Sequence, residues 1–473
     1  MSKNGRPNIL VIYTDQQRHD TLGANGNELI RTPNLDRLAE RGVNFSRSYT
    51  TCPICVPSRV GFFTGRYNHT NLSYNNARLM FDPERDFAAL LREDGYTTAL
   101  IGKNHCFPEE RLERTFDFTR EAGHCAFRPP RNEVQERINE HRSDKMQVPF
   151  AGDPFSPKEE ITGTLFREAH AYVGRDHDSP FFLWLSIPDP HPPYMVCEPY
   201  ASMYDDVELP PPAWVEGETE NKPYRQQAVV EWDRYGREYP GDRIDRLRRI
   251  YWGMVTYIDD ELGKLMAALD ERGLAEDTIV VFTSDHGDYM GDHRMIRKGP
   301  HLYEALTRVP LIVRWPGRVL PRPTDAMAVN LDVMPTLCDL IGIEPDWDLH
   351  GRSFAPLLLG EADGHRERVF MEHGAPGPVL QPGDLTDREW QELEDSVGHH
   401  LCPTIYHGRT KGVRSGRWKY CHTPGDVEEL YDLEADPDEL HNLADRPEHA
   451  AVIQQHREHI LDWLIRTEDS SEE

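Results

Sequence analysis

Three observations predict an α/β fold built on a largely parallel, doubly wound sheet with a smaller C-terminal α+β subdomain. Short apolar runs alternate with amphipathic stretches of helical spacing. Four of those runs end in polar residues able to do chemistry, as the strands of open α/β sheets do where ligands bind. A composition shift near Gly342–Leu349 is followed by short β-like pieces and one last helix. The shift divides the chain into an expected catalytic domain, residues 1–345, and a C-terminal subdomain, residues 346–473.

Taken in order, Asn8–Thr14 (N-I-L-V-I-Y-T) reads as a buried strand ending in Asp15-Gln16. Thr32–Arg41 reads as a helix with Thr32 as N-cap and Pro33 at its first position. Asp86–Asp94 is helical in pattern, and Thr97–Gly102 is a second strand, ending in Lys103-Asn104-His105. Phe181–Ile187 is a third strand, leading to Asp189-Pro190-His191-Pro192. Tyr251–Leu269 shows helical spacing, and Thr278–Ser284 is a strand ending in Asp285-His286-Gly287. Pro310–Trp315 supplies one more strand. Residues Asp205 to Arg249, rich in charge, Pro and Gly, read as an elaborate surface connection. In the C-terminal part, Arg368–Glu372, Gly412–Tyr420 and Glu429–Leu433 read as β pieces, and Ala450–Arg466 as the final helix.

The chain has 473 residues, 38% hydrophobic and 10% aromatic, which suffices for a sizeable core and excludes a disordered chain. Its formal charge of −28, from 53 basic and 81 acidic residues, argues against nucleic acid or an anionic membrane as partner. It also favours a small anion over a long polyanion as ligand. The start shows no apolar stretch with a small-residue cleavage site, and no run of apolar residues is long enough to span a bilayer, so a cytoplasmic protein is expected. Eight cysteines are scattered apart from the Cys52/Cys55 pair, and a chain of this length has no need of disulfides.

The four strand ends together predict one cleft. Asp15 and Asp285 offer hard anionic oxygens, Gln16 a neutral oxygen and His286 a nitrogen, a set suited to Ca²⁺, Mg²⁺ or Mn²⁺. The competing reading makes each aspartate a helix cap or turn residue. In Cys55-Val56-Pro57-Ser58-Arg59, Pro57 suits a first helical turn, which puts Cys55 at or just before a helix N-terminus where free N–H groups favour an anion. Arg59, one turn on, reaches the same point. Cys52 reads as a buried structural thiol. A redox dithiol lacks the flanking residues of such sites, and a zinc site lacks a second pair at suitable spacing.

Cys55-x-Pro57-Ser58-Arg59 followed by Thr64-Gly65 resembles the type I sulfatase signature of the alkaline phosphatase superfamily, in which that cysteine becomes formylglycine. The resemblance extends to Gly102-Lys103-x-His105, Pro190-His191-x-Pro193, Ser284-Asp285-His286-Gly287, Lys298 before Tyr303-Glu304, and a C-terminal Glu429-Leu430-Tyr431-Asp432-Leu433. It implies an alkaline-phosphatase-like fold and a sulfuric ester hydrolase. It implies that Asp15, Gln16, Asp285, His286 and the modified residue 55 hold one divalent cation, Ca²⁺ first, with Mn²⁺ or Mg²⁺ as alternatives. Lys103, Arg59 and Lys298 are then expected on the sulfuryl oxygens, His191 as proton donor to the leaving alcohol, with or without Lys298, and His105 as the base acting on the second hydroxyl of hydrated formylglycine. Implied partners are a small sulfate ester, a formylglycine-generating enzyme met transiently, and further copies of this chain. Gln16 and His286 stand where many members carry Asp and Asn, a variation shared with phosphonate monoester hydrolases. Those enzymes tend to lack the Lys-x-His pair present here, so sulfate esters lead, with phosphonate monoesters or phosphodiesters as the alternative. His19, His69, His124, His293 and His301 are expected to be surface, structural or supporting residues. Asn75, Asn76 and Arg78 are candidate lining of the pocket, and Trp184 is expected in the core.

Overall fold

The computed structural model describes residues 5–124, 126–143, 150–232, 241–384 and 407–468. Its strands, in chain order, are β1 (Asn8–Asp15), β2 (Val43–Tyr49), β3 (Thr97–Gly102), β4 (Phe118–Ala122), β5 (Phe127–Arg128), β6 (Phe150–Asp153), β7 (Phe181–Pro190) and β8 (Tyr194–Cys197). They continue with β9 (Thr278–Ser284), β10 (Leu311–Arg314), β11 (Arg322–Val329), β12 (Arg368–His373), β13 (Thr410–Ser415), β14 (Trp418–His422) and β15 (Glu429–Asp432). Nine of them form one sheet in the order β11-β2-β10-β9-β1-β7-β3-β4-β5. β10 runs antiparallel to both of its neighbours and β5 to β4; every other pairing in this sheet is parallel.

Alternation along β1 sends Ile9, Val11 and Tyr13 to one face and Leu10 and Ile12 to the other, and each set joins a separate apolar cluster. Helices Cys55–Thr64, Phe87–Glu93 and Val333–Ile341 cover the first face through Phe62, Phe63, Leu91 and Met334. Helices Pro33–Glu40, Ile161–Val173 and Gly241–Glu271 cover the second through Leu35, Leu165 and Ile258. Trp184 is fully buried in the first cluster, as expected of a core residue. With about 1.5–3 kcal/mol gained per large apolar side chain buried, the double-sided packing holds the strand ends in fixed register.

A second, antiparallel sheet, β12-β13-β14-β15, carries helix Ala450–Arg466. It shares an apolar cluster with the edge of the large sheet: Val413, Leu430 and Trp463 pack with Tyr49 and Val329.

The structure corrects several expectations. Thr32 does not cap its helix through the side chain; its hydroxyl accepts from Gly23 N at 2.9 Å and donates to Asp36 at 3.1 Å. Asp86 is a working cap, accepting from Ala89 N at 2.9 Å. The segment from Asp205 to Arg249 is not a surface connection throughout. Tyr224–Trp232 is a helix with Ala228 and Val229 fully buried, and the long helix already begins at Gly241. Its narrow apolar stripe was masked by the charges between. The expected β piece Gly412–Tyr420 is a hairpin, β13 and β14, turning at Gly416, whose φ of 57° lies in the left-handed region. No helix among the described residues is long and apolar enough to cross a membrane.

Candidate active site

β9, β1, β7 and β3 are neighbours in the sheet, so residues far apart in sequence meet at their carboxyl ends. Asp15 closes β1, Asp285 and His286 follow β9, Lys103 and His105 follow β3, and His191 follows β7. The close approach of β3 to β7 depends on Gly102, where a Cβ would stand 1.8 Å from Ser186 O. Lys103 N then donates to the same carbonyl at 2.8 Å. Gln16 and His105, just past their strands, hold left-handed backbone at φ 67° and 50°, a conformation that non-glycine residues keep where the surroundings enforce it.

Cys55 is the first residue of the helix Cys55–Thr64, whose ten residues are all buried. Ser58 anchors that helix to the strand ends, donating to Asp285 O at 2.7 Å, while Asn330 Nδ2 donates to Ser58 O at 3.0 Å. Val56 N, at the helix start, donates to Asn76 Oδ1 at 3.1 Å, so Asn76 buttresses the turn that presents residue 55. The Cys55 Sγ lies 3.7 Å from Asp15 Oδ1 and 3.3 Å from His286 Nε2. Burial alone would raise its pKa, but Lys103, Lys298 and His286 outweigh it and hold the thiol well below its ordinary value. Cys52 is the opposite case: it is buried, burial raises its thiol, and like the other described cysteines it is free.

On one side of Cys55 stand the carboxylates. Arg59, with no exposed surface, reaches Asp15 Oδ2 at 2.7 Å and Asp285 Oδ2 at 3.0 Å, and its Nη1 donates to Ser186 Oγ at 2.7 Å. This differs from the sequence expectation, which put Arg59 on the substrate. Its donors go to the two carboxylates, to Ser186 Oγ at the β7 end and to Lys103 O. Within this coupled pair, Asp15 is lowered, because Lys103, His191 and Arg59 outweigh burial, and Asp285 is raised by burial and by Asp15. His286 Nδ1 lies 2.9 Å from Gly287 O, which turns Nε2 to the centre beside Cys55 Sγ. Donor atoms of Asp15, Cys55, Asp285 and His286 all lie within 4.8 Å of one another, every one on a buried residue. Gln16, the residue after Asp15, is also fully buried, and its Oε1 accepts from Lys298 Nζ at 2.9 Å. Two buried carboxylates, a neutral oxygen and a nitrogen fit a hard divalent cation.

On the other side stand Lys103 and three histidines. Lys103 Nζ contacts both Asp15 Oδ2 and His124 Nε2. Asp15, Cys55, His124 and His191 also bring donor atoms within 4.8 Å, but here the Lys103 ammonium already supplies the positive charge. His191 Nδ1 lies 2.6 Å from Pro192 O, which turns its Nε2 to the site. Its ring stacks on His124, with centroids 3.7 Å apart, and His105 meets His124 edge-on. Burial, then neighbouring positive groups, lowers all three imidazoles, His124 down to about 3.

His124 was expected to be a supporting or surface residue, and the structure places it in the site. The signal was present in principle: β4 lies parallel beside β3, and His124 stands two residues past its end. His301 and His373 are buried away from these groups, near Arg225, and His69 pairs with Glu372.

A family model described as Sulfatase matches residues 7–343. The chain is 31% identical to a multifunctional alkaline phosphatase superfamily protein, PehA, of Trinickia caryophylli, with 98% of this chain and 96% of that protein covered. It is 29% identical to an arylsulfatase of Clostridium perfringens, with 98% and 95% covered. Among solved structures, it resembles the phosphonate monoester hydrolase of Agrobacterium radiobacter at a TM-score of 0.81 and 28% identity, with 99% and 97% covered. A strand-end site built around a helix-borne cysteine, together with these matches along the whole length, shows that the chain belongs to the sulfatase family.

Proposed function

We propose that this protein hydrolyses a sulfate monoester of a small organic alcohol, phenol or sugar to the alcohol and inorganic sulfate. The observation that carries the reading is the position of Cys55. It sits at a helix N-terminus between a carboxylate cluster on one side and Lys103 with three histidines on the other. In this reading a formylglycine-generating enzyme converts Cys55, and the hydrated aldehyde would supply the nucleophilic hydroxyl and a second hydroxyl for the release of sulfate. Asp15, Gln16, Asp285 and His286 would hold a divalent cation, Ca²⁺ first, which would supply positive charge beside residue 55 and the sulfuryl oxygens.

The chain's own residues do the rest. Lys103 and Lys298 bind the sulfuryl oxygens and stabilise the charge that builds there. Arg59 keeps Asp15 and Asp285 together. His191 presents Nε2 to the leaving oxygen; burial, then His124 and Lys298, lowers its pKa, and the negative charge of a bound ester opposes that shift. Lys298 is the second proton holder beside it. His105, beside residue 55, takes the proton of the second hydroxyl. His124 aligns Lys103 and the His191 ring.

A second reading, hydrolysis of phosphonate monoesters or phosphodiesters, is favoured by Gln16 in the cation shell and by the structural match to a phosphonate monoester hydrolase. The test pairs two measurements on protein from cells that supply the modifying enzyme. Peptide mass spectrometry should show residue 55, and not Cys52, with sulfur and two hydrogens exchanged for one oxygen. The value of kcat/KM for 4-nitrophenyl sulfate should exceed that for a 4-nitrophenyl phosphonate. The reverse order would move the assignment to the second reading, and activity from protein with an unaltered thiol would overturn the mechanism.

A further inference from the structure

A carboxamide in a cation shell has two ends of nearly equal size and opposite character, and only the oxygen binds a cation. Gln16 is such a ligand in the reading above, on which this inference rests. Its Oε1 accepts from Lys298 Nζ at 2.9 Å, and its Nε2 donates to Asp288 Oδ2. Asp288 is fully buried and holds its own orientation through two further donors: Tyr194 OH reaches Oδ2 at 2.6 Å and Met290 N reaches Oδ1 at 2.9 Å. Turning the Gln16 amide over would set N–H against the Lys298 ammonium and oxygen against the Asp288 carboxylate. Both contacts are repulsive and buried.

We propose that Asp288 is the positioning residue that makes Gln16 a one-sided ligand, keeping Oε1 towards the cation. The carboxylate missing from position 16 has in effect moved one layer out, where it accepts from the amide instead of touching the cation. The arrangement has a particular weakness. In Asp288→Asn, Met290 N keeps an oxygen at the Oδ1 position, so the new amide sets its NH₂ against Gln16 Nε2. Relief comes from inverting Gln16, which directs its own NH₂ inward.

The experiment measures Mn²⁺ and Ca²⁺ affinity by titration calorimetry on the full chain carrying an unmodified Cys55, so that turnover plays no part. Asp288→Asn should weaken binding by about 10- to 100-fold, the range for partners that orient a ligand. Gln16→Glu alone sets two buried carboxylates face to face and should weaken it as well. The double variant Gln16→Glu/Asp288→Asn restores a donor opposite an acceptor and should return affinity to within about threefold of wild type. A residue needed only for folding would give no such rescue. If Asp288→Asn does not fold alone, the comparison of Gln16→Glu with the double variant reads the same coupling. Affinity of Asp288→Asn within about twofold of wild type, or a double variant no tighter than Gln16→Glu, would overturn the role of Asp288. Failure of the wild-type chain to bind either ion would overturn the cation site itself, and this role with it.

Discussion

Arg59→Met removes the guanidinium that ties the two carboxylates of the site together. Its Nε and Nη2 lie 3.1 and 3.0 Å from Asp285 Oδ2, and Nη2 lies 2.7 Å from Asp15 Oδ2. None of the three side chains is exposed. Asp15 would keep Lys103, whereas Asp285 would keep only the backbone N–H groups of Gln16 and His286, each 2.9 Å from Oδ1, and lose the guanidinium on Oδ2. Removing one partner of a buried pair costs about 3–5 kcal/mol, because the charge left behind stays out of water. For 473 residues, at about 2.1 cal/mol/K each, the unfolding entropy is about 1 kcal/mol/K, so Tm should fall by about 3–5 °C. Differential scanning fluorimetry in EDTA, on protein with an unmodified Cys55, isolates the effect from cation binding and from conversion of the cysteine. Arg59→Lys, which keeps the charge and loses the fork, should fall between the two. A Tm unchanged to within about 1 °C would mean that the carboxylates share a proton when no cation is bound, and the charge argument for Arg59 would fail.

Three further outcomes are expected. Lys103→Ala and His105→Ala should each lower kcat of the matured enzyme by about 10²-fold or more; near-wild-type rates for both would remove the β3 end from the active site. His124→Phe keeps a ring for stacking and removes the nitrogen that accepts from Lys103, so kcat should fall by about 10-fold or more; an unchanged rate would reduce His124 to packing. Glu160 is buried, and burial, reinforced by Asp153 and Asp189 against Arg142, pushes its carboxyl from 4.5 up to about 8. A raised pKa in the folded chain means stability that is whole below pH 4.5 and is lost as the pH rises through about 8. Glu160→Gln should therefore raise Tm at pH 9 relative to wild type and leave it unchanged at pH 4, and parallel Tm profiles across that range would refute the assignment.

What could be read from the sequence follows from burial. β1, β3, β7 and β9 lie in the interior of the sheet, so they appear as apolar runs, and their ends announce themselves by an abrupt change to Asp, Lys or His. β4 lies near the edge; Phe118–Ala122 is half buried for most of its length, its F-T-R-E-A shows no run, and His124 was lost with it. The role of Arg59 was hidden for another reason. One helical turn from Cys55 allows either side of the cleft, and only the folded position of Asp285 shows which side takes the guanidinium. Asp288 follows the Ser284-Asp285-His286-Gly287 strand end in plain view, yet its contact with Gln16 joins the ends of β9 and β1, 272 residues apart, and leaves no trace in local pattern.

The complete burial of the helix Cys55–Thr64 sets an order of events in the life of the molecule. Once Phe62, Phe63 and Val60 have docked against the sheet, Cys55 has no surface left for another enzyme to grasp. If Cys55 is converted as proposed above, the maturing catalyst would have to meet residues 51–66 as loose chain, before the nine strands close. In that reading each copy of the protein would get one chance, and the yield of working enzyme would be decided by a race between conversion and folding.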